Sequence, residues 1–259
     1  MNPELKLEVR EGVAWLTVDR PEVRNALSAQ ICRDLAESLN GLAADKAVRV
    51  VVLRGAGEKV FVSGADIREF KESLATPQSA LDYDANAELL QTAIRTLPKP
   101  VIAMIQGYAI GSGCIVAVAC DFRIASTGAR FGIPVAKFGF VAPVPDVLRL
   151  AALVGTSKAK WIMMSGKVFD AKRALDIGLI DELVEPERLL EETEAFARTL
   201  AENAPLTLKV TKEIIEEHCS SSNDVYAGRK WYEEVFRSKD FAEGLDAFYA
   251  KRKPVFKGE

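Results

Sequence analysis

Two glycine turns carry the residue types best placed to do chemistry: Phe61-Val62-Ser63-Gly64-Ala65-Asp66-Ile67-Arg68 and Gly107-Tyr108-Ala109-Ile110-Gly111-Ser112-Gly113-Cys114. Each follows an apolar run. Glycine lets a backbone turn sharply and leaves N–H groups aimed into open space, and a helix that opens just after such a turn adds the positive end of its dipole. One such turn alone reads as a strand terminator. Two whose N–H groups converge on one oxygen would stabilise a developing oxyanion.

Other chemistries find little support. The one histidine, His218, lies late in a polar stretch and reads as a surface residue, and neither Ser63 nor Ser112 sits in a G-x-S-x-G context, which argues against a hydrolase triad. Cys32, Cys114, Cys120 and Cys219 are dispersed without a C-x-x-C pair, so neither zinc-ligand spacing nor a redox motif is present, and no metal site is expected. Gly111-Ser112-Gly113 has Val116 where a dinucleotide fingerprint needs its third glycine, and no P-loop lysine motif occurs.

The elements that must hold these turns follow from hydrophobic pattern. Runs at 13–18, 49–53, 101–105, 122–125 and 180–184 are almost wholly apolar, as strands covered on both faces are. Ser28 should cap a helix over 29–42. Thr76 followed by Pro77 should open one reaching Leu97, and Thr156 and Asp170 should start two more. Strand signals fade after Pro186, leaving helices to about Arg252 with breaks at Pro205, Ser220 to Ser222 and Ser238. The chain therefore reads as α/β, with a core over residues 1–195 and a helical module over 196–259.

With 259 residues, 34 Lys+Arg against 37 Asp+Glu and 49% hydrophobic residues, it can bury a substantial core. Near-neutral charge argues against bulk nucleic acid or an anionic membrane as partner. No apolar run is long enough to span a bilayer, and Met1 to Arg10 lacks the pattern of a signal peptide. A cytoplasmic location with reduced thiols is the expectation. The basic tail, Lys251 to Lys257, reads either as a solvated terminus or as a binder of a ligand phosphate.

The order of short motifs closely resembles the enoyl-CoA hydratase/isomerase (crotonase) superfamily. The residues that carry this are Asp19-Arg20-Pro21 with Arg24-Asn25-Ala26-Leu27, the two glycine turns, Lys99-Pro100-Val101-Ile102-Ala103 and Cys120-Asp121-Phe122-Arg123-Ile124-Ala125. They continue with Phe131-Gly132-Ile133-Pro134, Ala174-Leu175, Gly178-Leu179, Ala204-Pro205 and Lys251-Arg252-Lys253-Pro254. The resemblance implies a spiral of ββα units, a helical C-terminal oligomerisation module, and a homotrimer or homohexamer. It implies an acyl-CoA substrate whose thioester oxygen is held by the amides of Ala65 and Ser112, with coenzyme A present as part of the substrate and no other cofactor. Ser63, Ala65, Asp66 and Ile67 match the turn that holds coenzyme A in relatives, and Lys59 and Arg68 match basic positions near its phosphates. Phe256 and Lys257 match a tail segment that reaches the nucleotide of a neighbouring subunit.

The chain also departs from the pattern. The two glutamates by which hydratases of this family move protons and activate water are Ile115 and Val135 here, so standard two-glutamate hydration is not expected. The nearby carboxylate is Asp146, which reads either as the N-cap of a helix or as a catalytic group. Pro143 and Pro145, with Phe138 and Phe140, point to a rigid, dry acyl pocket. Three outcomes fit: a double-bond isomerase using Asp146, a malonyl-type decarboxylase needing little proton machinery, or a catalytically silent acyl-CoA-binding subunit.

Overall fold

Apolar runs of five or six residues can be buried on both faces only if layers pack above and below them, and this is what the computed structural model has. It describes residues 2–73, 75–139, 142–218 and 237–259. The strands are β1 (Leu5–Arg10), β2 (Val13–Val18), β3 (Val50–Gly55), β4 (Val60–Val62), β5 (Val101–Ile105), β6 (Tyr108–Ile110), β7 (Phe122–Ser126), β8 (Arg130–Gly132), β9 (Phe169–Asp170) and β10 (Glu182–Val184). The helices used below are α1 (Ala29–Ala43), α2 (Phe70–Ser73), α3 (Pro77–Thr96), α4 (Ser112–Ala119), α5 (Val135–Phe138), α6 (Val144–Val154), α7 (Thr156–Ser165), α8 (Ala171–Asp176), α9 (Leu189–Glu202) and α10 (Pro205–His218). A further helix, Lys239–Ala250, precedes the tail.

From β3 to β8, consecutive strands alternate between two sheets. One is ordered β1-β2-β3-β5-β7-β10 and the other β4-β6-β8-β9. The pairs β3/β4, β5/β6 and β7/β8 each give one strand to each sheet, and the central pairings are parallel, so the chain climbs as a spiral of ββα units. The α/β architecture and the helical C-terminal region expected from the sequence are both present.

The larger sheet divides the core. On one face Leu16, Val51, Ala103 and Ala125 pack with α1, α3 and α4; on the other Trp15, Val52, Ile102 and Ile124 pack with Leu189, Ala197 and Leu200 of α9. Helix α9 thus runs through residue 195, where the sequence suggested a division, and closes the far side of the core sheet.

Local side-chain caps set the starts of α1, α3 and α8. Ser28 accepts from the Ile31 amide at 3.2 Å, Thr76 and Ser79 form a capping box ahead of Pro77, and Asp170 accepts from the Arg173 amide at 2.8 Å. One expectation fails: Asp146 is not an N-cap. Pro143 holds that position, and Asp146 is the third residue of α6, without a side-chain capping bond. The breaks expected at Ser220 to Ser222 lie outside the described residues. Among the described residues no helix is long and apolar enough to cross a membrane.

Candidate active site

The first glycine turn is braced from upstream. Asn25, buried and with a left-handed backbone, donates from Nδ2 to the carbonyls of Ala56 (3.0 Å) and Val60 (2.8 Å) and accepts from the Arg20 amide (3.0 Å). This pins the loop so that Leu27 can pair with the turn: its N–H donates to Gly64 O and its carbonyl accepts from Asp66 N, both at 2.8 Å. In such a parallel bridge the intervening residue points its own N–H away from its partner. That residue is Ala65.

The second turn is pressed against the first. A Cβ on Gly113 would lie 2.1 Å from Val62 O, and one on Gly107 would lie 1.9 Å from Lys59 O, so neither position admits a side chain. A Cβ on Gly111 would stand 3.7 Å from the Cα of Gly64, and one on Gly64 would stand 4.0 Å from the Ser112 nitrogen. The two turns are therefore in van der Waals contact. Ser112 is the first residue of α4, where an amide has no partner within its helix and lies at the positive dipole end. Among the described residues neither the Ala65 nor the Ser112 amide donates a hydrogen bond within the chain.

Both residues line one cavity of about 890 Å³, the size of a site for a substantial organic ligand. Ser63 and Ile67 line it too, with Ile115, Val135, Phe138 and Pro143, which gives the apolar wall expected around the acyl pocket. Ile67 is unusually exposed for an isoleucine, at 71%. Phe140 lies outside the described residues.

Asp146 also lines the cavity and is only 5% exposed. Burial pushes its carboxyl up to about 6, opposed by a hydrogen bond from Gln91 and the Arg149 charge and assisted by Glu88 and Asp84. Arg149 Nη1 lies 3.1 Å from Asp146 Oδ1 and also bonds Gln91, while Nη2 reaches Glu88 at 2.6 Å. A carboxylate held in place, desolvated and poised near neutrality has the attributes of a general base.

The other residues singled out from sequence fall elsewhere. Asp66 is buried but does not line the cavity; its carboxylate caps the short turn after it and is bonded by Arg68 at 2.8 and 2.5 Å, with Arg20 at 3.4 Å. The Arg68 hydrogen bond holds it down at about 2, against burial that raises it. Lys59 is exposed, and its carbonyl accepts from Tyr108 N. Phe256 and Lys257 lie on their own chain: the Phe256 carbonyl accepts from Arg49, its ring lines a small pocket over Gly244, and the Lys257 amide donates to Asp240 at 2.7 Å. None of these three lines the large cavity.

Sequence reasoning missed the contribution of α3. Tyr83, Asp84, Ala87 and Gln91 all line the cavity, at the three- and four-residue spacing of one helix face. The spacing was visible, but the face is half polar and so resembles solvated surface.

Two amides without hydrogen-bond partners among the described residues, on residues that line one largely apolar cavity with a buried carboxylate, can serve chemistry beside a carbonyl. The sequence matches the family described as Enoyl-CoA hydratase/isomerase over residues 8–259. It is 34% identical to the Short-chain-enoyl-CoA hydratase of Clostridium acetobutylicum, covering 95% of each chain, and 32% identical to Enoyl-CoA isomerase/hydratase fer4 of Mycosarcoma maydis, covering 100% of this chain and 97% of the relative. The fold superposes with a TM-score of 0.95 on an enoyl-CoA hydratase/carnithine racemase from Magnetospirillum magneticum, at 34% identity over 100% of this chain and 97% of the other. The chain belongs to the enoyl-CoA hydratase/isomerase family and is an acyl-CoA enzyme of that family.

Proposed function

We propose that the protein moves a double bond in an unsaturated acyl-CoA thioester. The amides of Ala65 and Ser112 form the oxyanion hole and Asp146 is the proton carrier. The Asp146 carboxylate takes a proton from the α carbon of a 3-enoyl thioester, and the electron pair passes into a dienolate whose oxygen the two amides hold. The same carboxyl then returns the proton at the γ carbon, giving the 2-enoyl thioester and restoring the base. No cofactor beyond the substrate's own coenzyme A is needed. In this reading Ser63, Ala65 and Ile67 hold the pantetheine side, Lys59 and Arg68 meet the phosphates, Asp66 supports the turn, and Phe256 with Lys257 serves the nucleotide of a neighbour in a homotrimer or homohexamer.

The observation that carries this is that Ala65 and Ser112, whose amides have no hydrogen-bond partner among the described residues, line the same largely apolar cavity as the buried Asp146. Hydration is disfavoured because Ile115 and Val135 can neither activate water nor deliver a proton. Decarboxylation is disfavoured because, among the described residues lining the cavity, none is lysine, arginine or histidine, whereas Asp84 and Asp146 are both present to repel a substrate carboxylate.

The test is turnover of 3-enoyl-CoA to 2-enoyl-CoA by purified protein, followed by mass spectrometry and absorbance. Isomerisation that Asp146→Asn abolishes supports the proposal. Binding of acyl-CoA without turnover of 3-enoyl, crotonyl or methylmalonyl thioesters would favour the silent subunit instead.

A further inference from the structure

Asp84 is a group that the proposed chemistry does not use. It lies on α3 and lines the large cavity, half-buried, and among the described residues its carboxylate has neither a hydrogen-bond partner nor an ion-pair partner. A half-buried carboxylate without a protein partner is free to accept a hydrogen bond from a ligand. Its setting is specific. Tyr83, next to Asp84 in sequence, and Phe70, whose rings stand edge to face at 6.2 Å, line the same cavity.

The position of Asp84 along α3 gives it a distance from the reacting carbon. Gln91, seven residues further on and on the same face, bonds Asp146. Seven residues of α-helix span roughly 10 Å. A thioester whose α carbon sits beside Asp146, with its chain running back along α3, therefore brings its far end, not its reacting end, toward Asp84 and the aromatic pair. The cavity-lining residues of α3 between Asp84 and Gln91 include the apolar Ala87 and Leu90.

Resting on the acyl-CoA reading above, we infer that Asp84 is a specificity residue that selects acyl groups carrying a hydrogen-bond donor, a hydroxyl or an ammonium, at their far end. A carboxylate accepts hydrogen bonds, and the neighbouring ring faces and edges suit a cationic or polar terminus better than a bare methyl. An acyl chain ending in a carboxylate meets a like charge, and among the described residues lining the cavity no cation offsets it. Burial raises the Asp84 carboxyl above its ordinary range.

The experiment uses saturated, unreactive thioesters of one length, so that binding is read without catalysis. Octanoyl-CoA, 8-hydroxyoctanoyl-CoA, 8-aminooctanoyl-CoA and suberoyl-CoA are titrated into the full-length protein and into Asp84→Asn and Asp84→Leu variants, with folding of each verified by circular dichroism. The expected order for the parent is amino and hydroxy tighter than octanoyl by tenfold or more, with suberoyl weakest. In Asp84→Leu that order should invert in favour of octanoyl, and in Asp84→Asn the suberoyl penalty should shrink. Equal binding of all four by the parent, or an equal change for all four in the variants, would overturn the assignment of Asp84 while leaving the acyl-CoA reading intact. Failure of every thioester to bind would overturn that reading itself.

Discussion

At the scale of single residues, the account turns on one buried carboxylate. Asp146 has its carboxyl raised from 3.8 to about 6, chiefly by burial. The base works only when ionised, so kcat/KM for isomerisation should fall about tenfold per pH unit below about 6. Asp146→Asn should lower kcat by about 10²- to 10⁴-fold with KM little changed. The same shift has a stability consequence of defined sign. Because the folded pKa lies above the unfolded one, the fold favours the protonated carboxyl; that contribution is complete below pH 3.8 and is lost as pH rises through about 6. Melting curves of Asp146→Asn and the parent should accordingly favour the variant more at pH 7 than at pH 4, and an unchanged difference between the two pH values would contradict the assignment. Asp146 was legible in the sequence only as an open choice between cap and catalyst. The deciding facts are the backbone geometry that gives Pro143 the cap position and the arrival of Gln91 from α3, distant in sequence, beside Asp146 and Arg149.

At the scale of elements, the glycine turns are legible because their constraint is local. Gly107 and Gly113 have no room for a Cβ, and Ser112 opens α4 as the motif suggested. The proposed oxyanion hole uses only the main chain of Ser112, so Ser112→Ala should keep activity within a few-fold. Ser112→Pro removes the N–H at a helix position that tolerates proline and should cost about 10²- to 10³-fold in kcat. Comparing the two by steady-state kinetics, with circular dichroism for α4, separates the amide from the side chain. The smaller sheet escaped sequence reading for a physical reason. β4, β6, β8 and β9 are three, three, three and two residues long, too short to show a period. β1 could have been read: Leu5, Leu7 and Val9 alternate with Lys6, Glu8 and Arg10, the pattern of an edge strand, and it pairs antiparallel with β2.

At the scale of the whole molecule, polar anchors tie the C-terminal helices to the spiral. Lys212 of α10 donates to Asp121 Oδ2 and to the carbonyls of Ile94 (2.8 Å) and Lys99 (3.2 Å), and Asp121 Oδ2 also accepts from the Val101 amide. This explains the Lys99-Pro100-Val101 and Cys120-Asp121 motifs as parts of one joint. Lys212→Met leaves a buried carboxylate unpaired and should destabilise by about 3–5 kcal/mol in denaturant unfolding, while Lys212→Met with Asp121→Asn should recover part of that loss. The assembly proposed from family resemblance fits the exposed apolar side chains Leu148 and Met164, at 63% and 75%. Sedimentation equilibrium should give a trimer or hexamer of the 28.3 kDa chain, and a monomer at micromolar concentration would contradict it.

The central claim concerns one oxygen atom and two amides. A crystal structure of the protein with a bound, slowly reacting acyl-CoA thioester tests it directly: the account predicts the thioester oxygen within about 2.7–3.1 Å of both the Ala65 and Ser112 nitrogens, with Asp146 facing the α carbon. A thioester oxygen turned toward solvent or a side chain, with either amide left unbonded, would contradict it.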